Sequence, residues 1–314
     1  MNAKAISIVT VIGAGTMGAG IAAEFARVGC KVRLHDISAE LLDQGLRKVA
    51  AAQEALIRAG LLTPRRAAAA RGRLAAHTSL EAACAGTDLL VEAAAENLDL
   101  KRRLFRQFEA YSPARAILAT NTSGLSITAI ASATRRPGRV AGLHFWNPPH
   151  VIPLVEVIKG RRTSEATATL LMDVCRRLGK RPILVRREVP GFVGNRLQFA
   201  VVREAFNLLA KGVASAEDID TAITAGPGFR WAVLGPLRVA DMGGLDVFHA
   251  ICGYLLKDLA DDKAPPALLA RLVKQGRYGA KTGAGIYNYQ GNELAGIVRR
   301  RDEALLAMRK LLMT

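Results

Sequence analysis

The stretch that most restricts the fold is residues 5–36. "AISIVTVIG" is apolar and β-branched, and reads as a buried strand. It runs straight into Gly13-x-Gly15-x-x-Gly18, which opens a helix expected from about Thr16 to Val28. "KVRLHD" then reads as a second strand, and Asp36 closes it roughly 20 residues after the glycines. A GxGxxG alone is weak. Strand, turn, helix, strand and acid in that order form a βαβ unit suited to a dinucleotide. Gly13 permits the tight turn, Gly15 lets backbone approach a pyrophosphate, and Gly18 lets helix and sheet pack closely. Thr16 and Met17 begin the helix, whose N-terminal N–H groups and dipole favour phosphate. Asp36 would accept from ribose hydroxyls and repel a 2′-phosphate, which favours NAD over NADP. The apolar start could be mistaken for a signal peptide, but it has no convincing cleavage site and feeds the glycine motif.

The pattern continues with "TDLLVEAA", "RAILATN", "GRVAGLHF", "IPLVEVI" and "RPILVRR" as further strands. Helices are expected over 39–59, 98–110 and 164–178. Such alternation predicts an α/β fold, a Rossmann-type doubly wound and mostly parallel sheet with helices on both faces. After "REVPG" at 187–191 the β-branched runs stop. The rest reads as helices over 192–211, 215–225, 236–260, 265–275 and 293–312, joined by glycine-rich turns such as "GPGF". This predicts an NAD-binding domain over 1–188 and an all-helical substrate and dimerisation domain over 189–314.

A length of 314 residues suits two domains. No apolar run reaches the roughly 18 residues needed to cross a bilayer, so no membrane role is expected. Cys30, Cys84, Cys175 and Cys252 lie far apart without a CxxC or a histidine nearby. They read as reduced thiols in a cytoplasmic protein, with neither a disulfide framework nor a metal site. The formal net charge is +17. The basic residues are scattered and the few aromatics do not alternate with them, which argues against nucleic acid. Attraction of small polyanions such as dinucleotides or CoA-linked substrates is the alternative, beside simple solubility.

"HFWNPPHVIPLVEV" at 144–157 carries the chemistry. His144 ends a strand at the sheet edge where open α/β sheets bind ligands. Its pKa range suits a base that takes a hydroxyl proton as hydride leaves. Glu156 lies inside the next apolar strand, where a carboxylate is costly to bury without a partner. His144 is a natural partner, and the acid would fix its tautomer. His150 falls in the "PPH" turn with no partner apparent, and reads as a packed or solvated loop residue.

With these segments in hand, the chain resembles the 3-hydroxyacyl-CoA dehydrogenase family over nearly its whole length. "VIGAGTMGAGIA" resembles the family's nucleotide loop, and "VEAAAENLDLK" at 91–101 its segment beside the nicotinamide ribose. "NTSGLSIT" at 121–128 resembles the substrate-serine segment, and "GLHFWNP" with "LVEVI" the His–Glu pair. "EVPGFVGNRL" at 188–197 is similar to the domain junction and "KTGAGIYNY" at 281–289 to the C-terminal signature.

The resemblance implies NAD-linked, reversible oxidation of a 3-hydroxy compound in fatty acid metabolism. His144 would be the general base and Glu156 its partner. Ser123 would hold the substrate oxygen, and Asn195 would help place substrate and histidine. Asp36, Glu96, Lys101, Asn147 and Lys281 would line the cofactor. A homodimer built through the helical domain and a small-molecule substrate in the cleft between domains are implied as well. Caps or turns are the alternative for Ser123 and Asn195, a solvated helix pair for Glu96 and Lys101, and a covered turn for Lys281.

Three features depart from the acyl-CoA pattern. Asn147 is followed by "PPHVIP" in place of a Pro-Val-Pro-like run. "GPGFRWAVLGPLRVADMGGLD" at 226–246, with Arg230 and Trp231 as candidate substrate contacts, resembles the gulonate dehydrogenase and lambda-crystallin branch. Gly124 stands where a second serine is usual. Against these, "GLLTPRRAAAARGRL" at 60–74 keeps a basic helix-turn in which Arg65 and Arg66 could meet CoA phosphates, or be merely solvated. A 3-hydroxyacyl-CoA is therefore the first substrate expected, and a small hydroxy acid or alcohol the second.

Overall fold

In the computed structural model, residues 3–313 are described. The chain packs as two units, Met1–Asn195 with Arg301–Thr314, and Arg196–Arg300. The first unit begins with β1 (Ile8–Ile12), α1 (Thr16–Arg27), β2 (Lys31–His35), α2 (Ala39–Arg58), α3 (Pro64–Arg71), β3 (Leu74–His77) and α4 (Leu80–Cys84). It continues with β4 (Leu89–Glu92), α5 (Leu98–Tyr111), β5 (Ile117–Thr120), α6 (Ile127–Ala131), β6 (Val140–Phe145), β7 (Leu154–Ile158), α7 (Glu165–Arg177) and β8 (Arg181–Val185). The eight strands form one sheet in the order β3-β2-β1-β4-β5-β6-β7-β8. Every neighbouring pair is parallel except β6 with β7.

Strand alternation builds a core on each face of this sheet. Val9, Val11, Leu89, Val91, Ile117 and Ala119 join one cluster with Ile21 and Phe25 of α1 and Leu171 and Val174 of α7. Ile12, Leu90, Leu118 and Val140 join the other with Phe105 and Phe108 of α5 and Ile130 of α6. Gly18 to Ala26 of α1 are all buried, so the helix that follows the glycine loop is enclosed on every side. The doubly wound expectation and the helical texture of the second half both hold.

The second unit contains most of α8 (Gly194–Ala210), then α9 (Ala216–Ala225), α10 (Pro227–Trp231), α11 (Pro236–Gly243), α12 (Leu245–Leu255), α13 (Ala267–Lys274) and the start of α14 (Glu293–Met313). No helix among the described residues is long and apolar enough to cross a membrane.

Some elements differ from the sequence expectation. The basic stretch at 60–74 also begins a strand, β3, whose "LAAH" is only partly buried and carries no β-branched residue. The helix expected over 236–260 breaks after Gly243. Gly244 takes φ +92°, and a Cβ on Gly243 would come within 2.9 Å of the Phe248 ring. "GPGF" folds as the start of α10 with Pro227 in its first turn. The packing division also lies apart from 188/189. Glu156 binds the N–H groups of Val193 and Gly194, which keeps the junction with the first unit. Leu306 of α14 joins Leu56, Leu62, Ala67 and Val151 in one apolar cluster, so the last turns belong there too.

Candidate active site

The glycine loop follows β1 at the point where strand order reverses between β1 and β4. Gly13 has φ +96°, and a Cβ there would lie 2.6 Å from the Ala93 carbonyl oxygen just past β4. A Cβ on Gly18 would lie 1.7 Å from the Gly13 carbonyl oxygen. Both positions are thus closed to any side chain by the protein's own backbone. Gly15 differs, because a Cβ there meets nothing within 4 Å. The protein itself does not demand glycine at Gly15, whereas a pyrophosphate passing over the loop would. Gly15 caps α1 without a side-chain hydrogen bond, while α2 to α7 are all capped by Ser, Thr or Asn side chains. Thr16 and Met17 open α1 at an end arranged for an anion in place of a capping side chain. Asp36, just beyond β2, accepts from the N–H of Ala14 at 2.7 Å and of Ile37 at 2.8 Å. It braces the loop from the position expected of a ribose carboxylate. These residues fit a bound NAD.

Beside them, β4 ends in a buried acid. Glu92 accepts from the Lys101 ammonium and the Ala94 N–H, both at 2.7 Å, and from the Thr120 hydroxyl at 2.7 Å. The Lys101 side chain is only 1% exposed and also lies 3.4 Å from Glu96. That excludes the solvated helix pair for Lys101. Glu96 in turn accepts from the Ser123 N–H at 3.0 Å and from the Thr122 hydroxyl. The Asn195 amide donates to the Ser123 carbonyl at 3.2 Å. Glu96, Ser123 and Asn195 therefore form one connected group, and Gly124 sits beside it in the open, with nothing within 4 Å of a Cβ.

His144 and Glu156 are directly opposed in the antiparallel register of β6 and β7. Their side chains meet at 2.8 Å, Nδ1 to Oε2, with exposures of 6% and 0%. Burial alone would raise the Glu156 pKa, but the His144 hydrogen bond and the N–H groups of Gly194 and Val193 outweigh it and hold the pKa below the usual carboxylate value. An anionic Glu156 fixes the proton of a neutral imidazole on Nδ1. Nε2 is left as the basic nitrogen, which is the tautomer a general base needs. Trp146 Nε1 also reaches Glu156 Oε2, at 3.3 Å, and the Phe192 ring meets His144 edge-on at 5.8 Å. The Asn121 side-chain oxygen accepts from the Phe145 N–H at 2.8 Å, which ties the end of β6 to the loop carrying Ser123.

The other expected residues are placed separately. Asn147 is exposed in the turn after β6. His150 lies in the next turn, its carbonyl bonded to Arg309 and its buried Nδ1 without a hydrogen-bond partner. Arg65 and Arg66 are exposed in the first turn of α3. In the second unit, Arg230 and Trp231 end α10 and Lys281 is exposed in a turn. Sequence reasoning overlooked Glu92, Asn121, Trp146 and Phe192. A carboxylate in an apolar strand, the signal that pointed to Glu156, is present at Glu92 as well. Phe192 adopts φ +52°, which nothing in its neighbours' identities announces.

A doubly wound sheet, a glycine loop and a buried His–Glu pair at one sheet edge define an NAD-dependent dehydrogenase. The chain matches the NAD binding domain of 3-hydroxyacyl-CoA dehydrogenase over residues 8–189 and the C-terminal domain of that family over 191–289. It belongs to the 3-hydroxyacyl-CoA dehydrogenase family. It is 34% identical over 306 residues to 5-formyl-3-hydroxy-2-methylpyridine 4-carboxylate 5-dehydrogenase of Mesorhizobium japonicum, covering 97% of each chain. A crystal structure of an enzyme of that name, an NAD+ dependent dismutase, overlays with a TM-score of 0.92 at 32% identity and 98% coverage of both chains. The (S)-3-hydroxybutyryl-CoA dehydrogenase of Ralstonia eutropha overlays with a TM-score of 0.75 at 40% identity, covering 91% of this chain and all (100%) of that one.

Proposed function

We propose that the protein interconverts (S)-3-hydroxyacyl-CoA and 3-ketoacyl-CoA, with His144 as general base and Glu156 as its orienting partner. The observation that carries this reading is the buried 2.8 Å pair in a chain of this family. Bound NAD supplies the hydride acceptor. Gly13, Gly15, Gly18, Thr16 and Met17 would hold its pyrophosphate, and Asp36 its ribose. Glu96, Lys101, Asn147 and Lys281 would line the cofactor as well, Glu96 and Lys101 beside the nicotinamide ribose. In the oxidative direction Nε2 of His144 takes the proton of the 3-hydroxyl, and Glu156 stabilises the resulting imidazolium. In the reductive direction the protonated ring donates to the ketone oxygen. Ser123 would hold that oxygen, and Asn195, bonded to the Ser123 carbonyl, would keep the serine loop in place. Arg65 and Arg66 are the candidate contacts for CoA phosphates, and Arg230 and Trp231 for the acyl end.

A second reading is favoured by the near-complete overlay with the pyridine-carboxylate enzyme: a small, CoA-free substrate bearing a carboxylate. Purified protein with NADH decides between them, given acetoacetyl-CoA, free acetoacetate or 5-formyl-3-hydroxy-2-methylpyridine 4-carboxylate in parallel. NADH consumption with the thioester is expected. Turnover of a free acid with none of the thioester would replace the first reading by the second.

The same proposal includes a functional division at 188/189 and a homodimer through the helical portion. In residues 196–300 only Ile219 and Gly285 are buried. Phe199, Phe229, Leu237, Met242, Leu245, Tyr254 and Leu256 are each more than 60% exposed. A unit with so little core of its own needs a covering surface, and a second copy supplies one. A cytoplasmic location is supported by four free cysteines.

A further inference from the structure

We propose that Trp146 is a positioning residue of the His144–Glu156 pair: its indole N–H shares the carboxylate oxygen that binds the imidazole, and so limits how firmly Glu156 holds a proton on His144. The inference rests on the reading of His144 as the base.

Glu156 is a fully used acceptor. Oε1 accepts from the N–H groups of Val193 and Gly194, both at 3.0 Å. Oε2 accepts from His144 at 2.8 Å and Trp146 at 3.3 Å. An ionised carboxylate offers about four lone-pair sites, so these donors exhaust it. The two backbone donors serve the junction, whereas the indole competes on the histidine's own oxygen. It does not titrate, and therefore draws on the carboxylate at every pH. Each donor that satisfies Glu156 leaves less of its charge for the imidazolium.

The indole is seated by the backbone beneath it. A Cβ on Gly194 would lie 2.3 Å from Trp146 Cζ2 and 3.1 Å from Cε2. The ring rests on a glycine whose own N–H binds the same carboxylate. The His144 and Trp146 rings are 5.7 Å apart and tilted by 52°. Three uncharged residues flank the pair from neighbouring elements. β8 places Ile183 opposite Glu156 in register, Phe192 presents a ring edge to His144, and Asn121 is a neutral amide bonded to Phe145 N. Packing on Gly194 requires a flat ring, which phenylalanine would supply. Only the shared carboxylate calls for an N–H.

The test is the titration of His144 followed by NMR of its ring nitrogens in wild type and Trp146→Phe, alongside pH profiles of kcat in both directions. Trp146→Phe keeps a ring over Gly194 and removes the N–H. The midpoint of His144 should rise by about half a pH unit, a factor of about three in the protonated-to-neutral ratio. The oxidation profile should move to higher pH by the same amount, and reduction should extend upward in pH. Gly194→Ala, which drives a methyl group into the indole but keeps the backbone donor, should shift the midpoint in the same direction. An unchanged or lowered midpoint in a folded Trp146→Phe would overturn the proposal. His144→Gln separates the two readings. Full turnover in that variant sinks the base assignment itself, while loss of turnover with an unmoved midpoint in Trp146→Phe sinks only the role of the indole.

Discussion

Glu156 binds His144 with one carboxylate oxygen and the N–H groups of Val193 and Gly194 with the other. One side chain thus orients the candidate base and fastens the start of α8. The two tasks are separable by substitution. Glu156→Gln keeps the shape but loses the charge that stabilises an imidazolium. We expect kcat to fall about 10²-fold or more and stability to fall by about 2–4 kcal/mol, because two backbone N–H groups lose an anionic acceptor. Activity assays paired with urea unfolding measure both. A drop in activity without a drop in stability would contradict the second task.

The two histidines of the central motif should behave differently. His144→Gln is expected to cut turnover by about 10³-fold, whereas His150→Gln should stay within about threefold of wild type. The carbonyl of His150 that receives Arg309 remains in the variant. Comparable losses in the two variants would move the base assignment away from His144.

Two of the loop glycines, Gly15 and Gly18, should also separate. Alanine at Gly18 collides with the Gly13 carbonyl, so a loss of about 3 kcal/mol or failure to fold is expected. Alanine at Gly15 meets open space and should change stability by about 0.5 kcal/mol at most, yet raise the Kd for NADH about tenfold or more. Thermal melts and NADH fluorescence titration provide the check. A Gly15→Ala protein with unaltered NADH affinity would remove the pyrophosphate from that face of the loop.

Beneath the "PPH" turn lies a buried charge cluster. Lys180 Nζ is 3.1 Å from Glu24 Oε2, both side chains 0% exposed, and Arg309 lies 3.9 Å from the same oxygen. Arg27 binds Glu24 at 3.0 Å. Lys180 also donates to the carbonyls of Pro149 and Ile152. Burial opposes ionisation of Glu24, but Lys180 and Arg27 prevail and draw its pKa down to about 2. The stabilisation is therefore complete above the ordinary value of 4.5 and is lost as pH falls from 4.5 toward 2. Lys180→Met should cost about 3–5 kcal/mol and flatten the acid limb of stability against pH. Glu24→Leu combined with Lys180→Met should be milder than the sum of the two single changes. Denaturation series from pH 2 to 7 test this.

What could be read in the sequence depended on how local its cause is. The glycine loop, the strands around it and the His144–Glu156 pair follow from neighbouring residues or from an acid stranded in an apolar run. Glu92 carries that same mark, but it lies in a segment whose family resemblance points to Glu96 and Lys101 instead. The pairing of Glu24 with Lys180 had no such mark. Glu24 on a helix resembles a solvent-facing acid until tertiary packing encloses α1. β3 was obscured by "LAAH", which lacks β-branched residues and is only partly covered. The break between α11 and α12 needed the φ of Gly244, which two adjacent glycines permit without requiring.

The path of α14 bears on how the protein is made. Leu306 completes an apolar cluster with Leu56, Leu62, Ala67 and Val151, and Arg309 reaches the His150 carbonyl. These partners emerge from the ribosome long before the residues that cover them, with all of 196–300 synthesised in between. The nucleotide-binding unit is thus discontinuous in the chain. During translation it must wait with part of its surface uncovered until a later segment returns, and that interval is where a chaperone or an aggregation partner would find it.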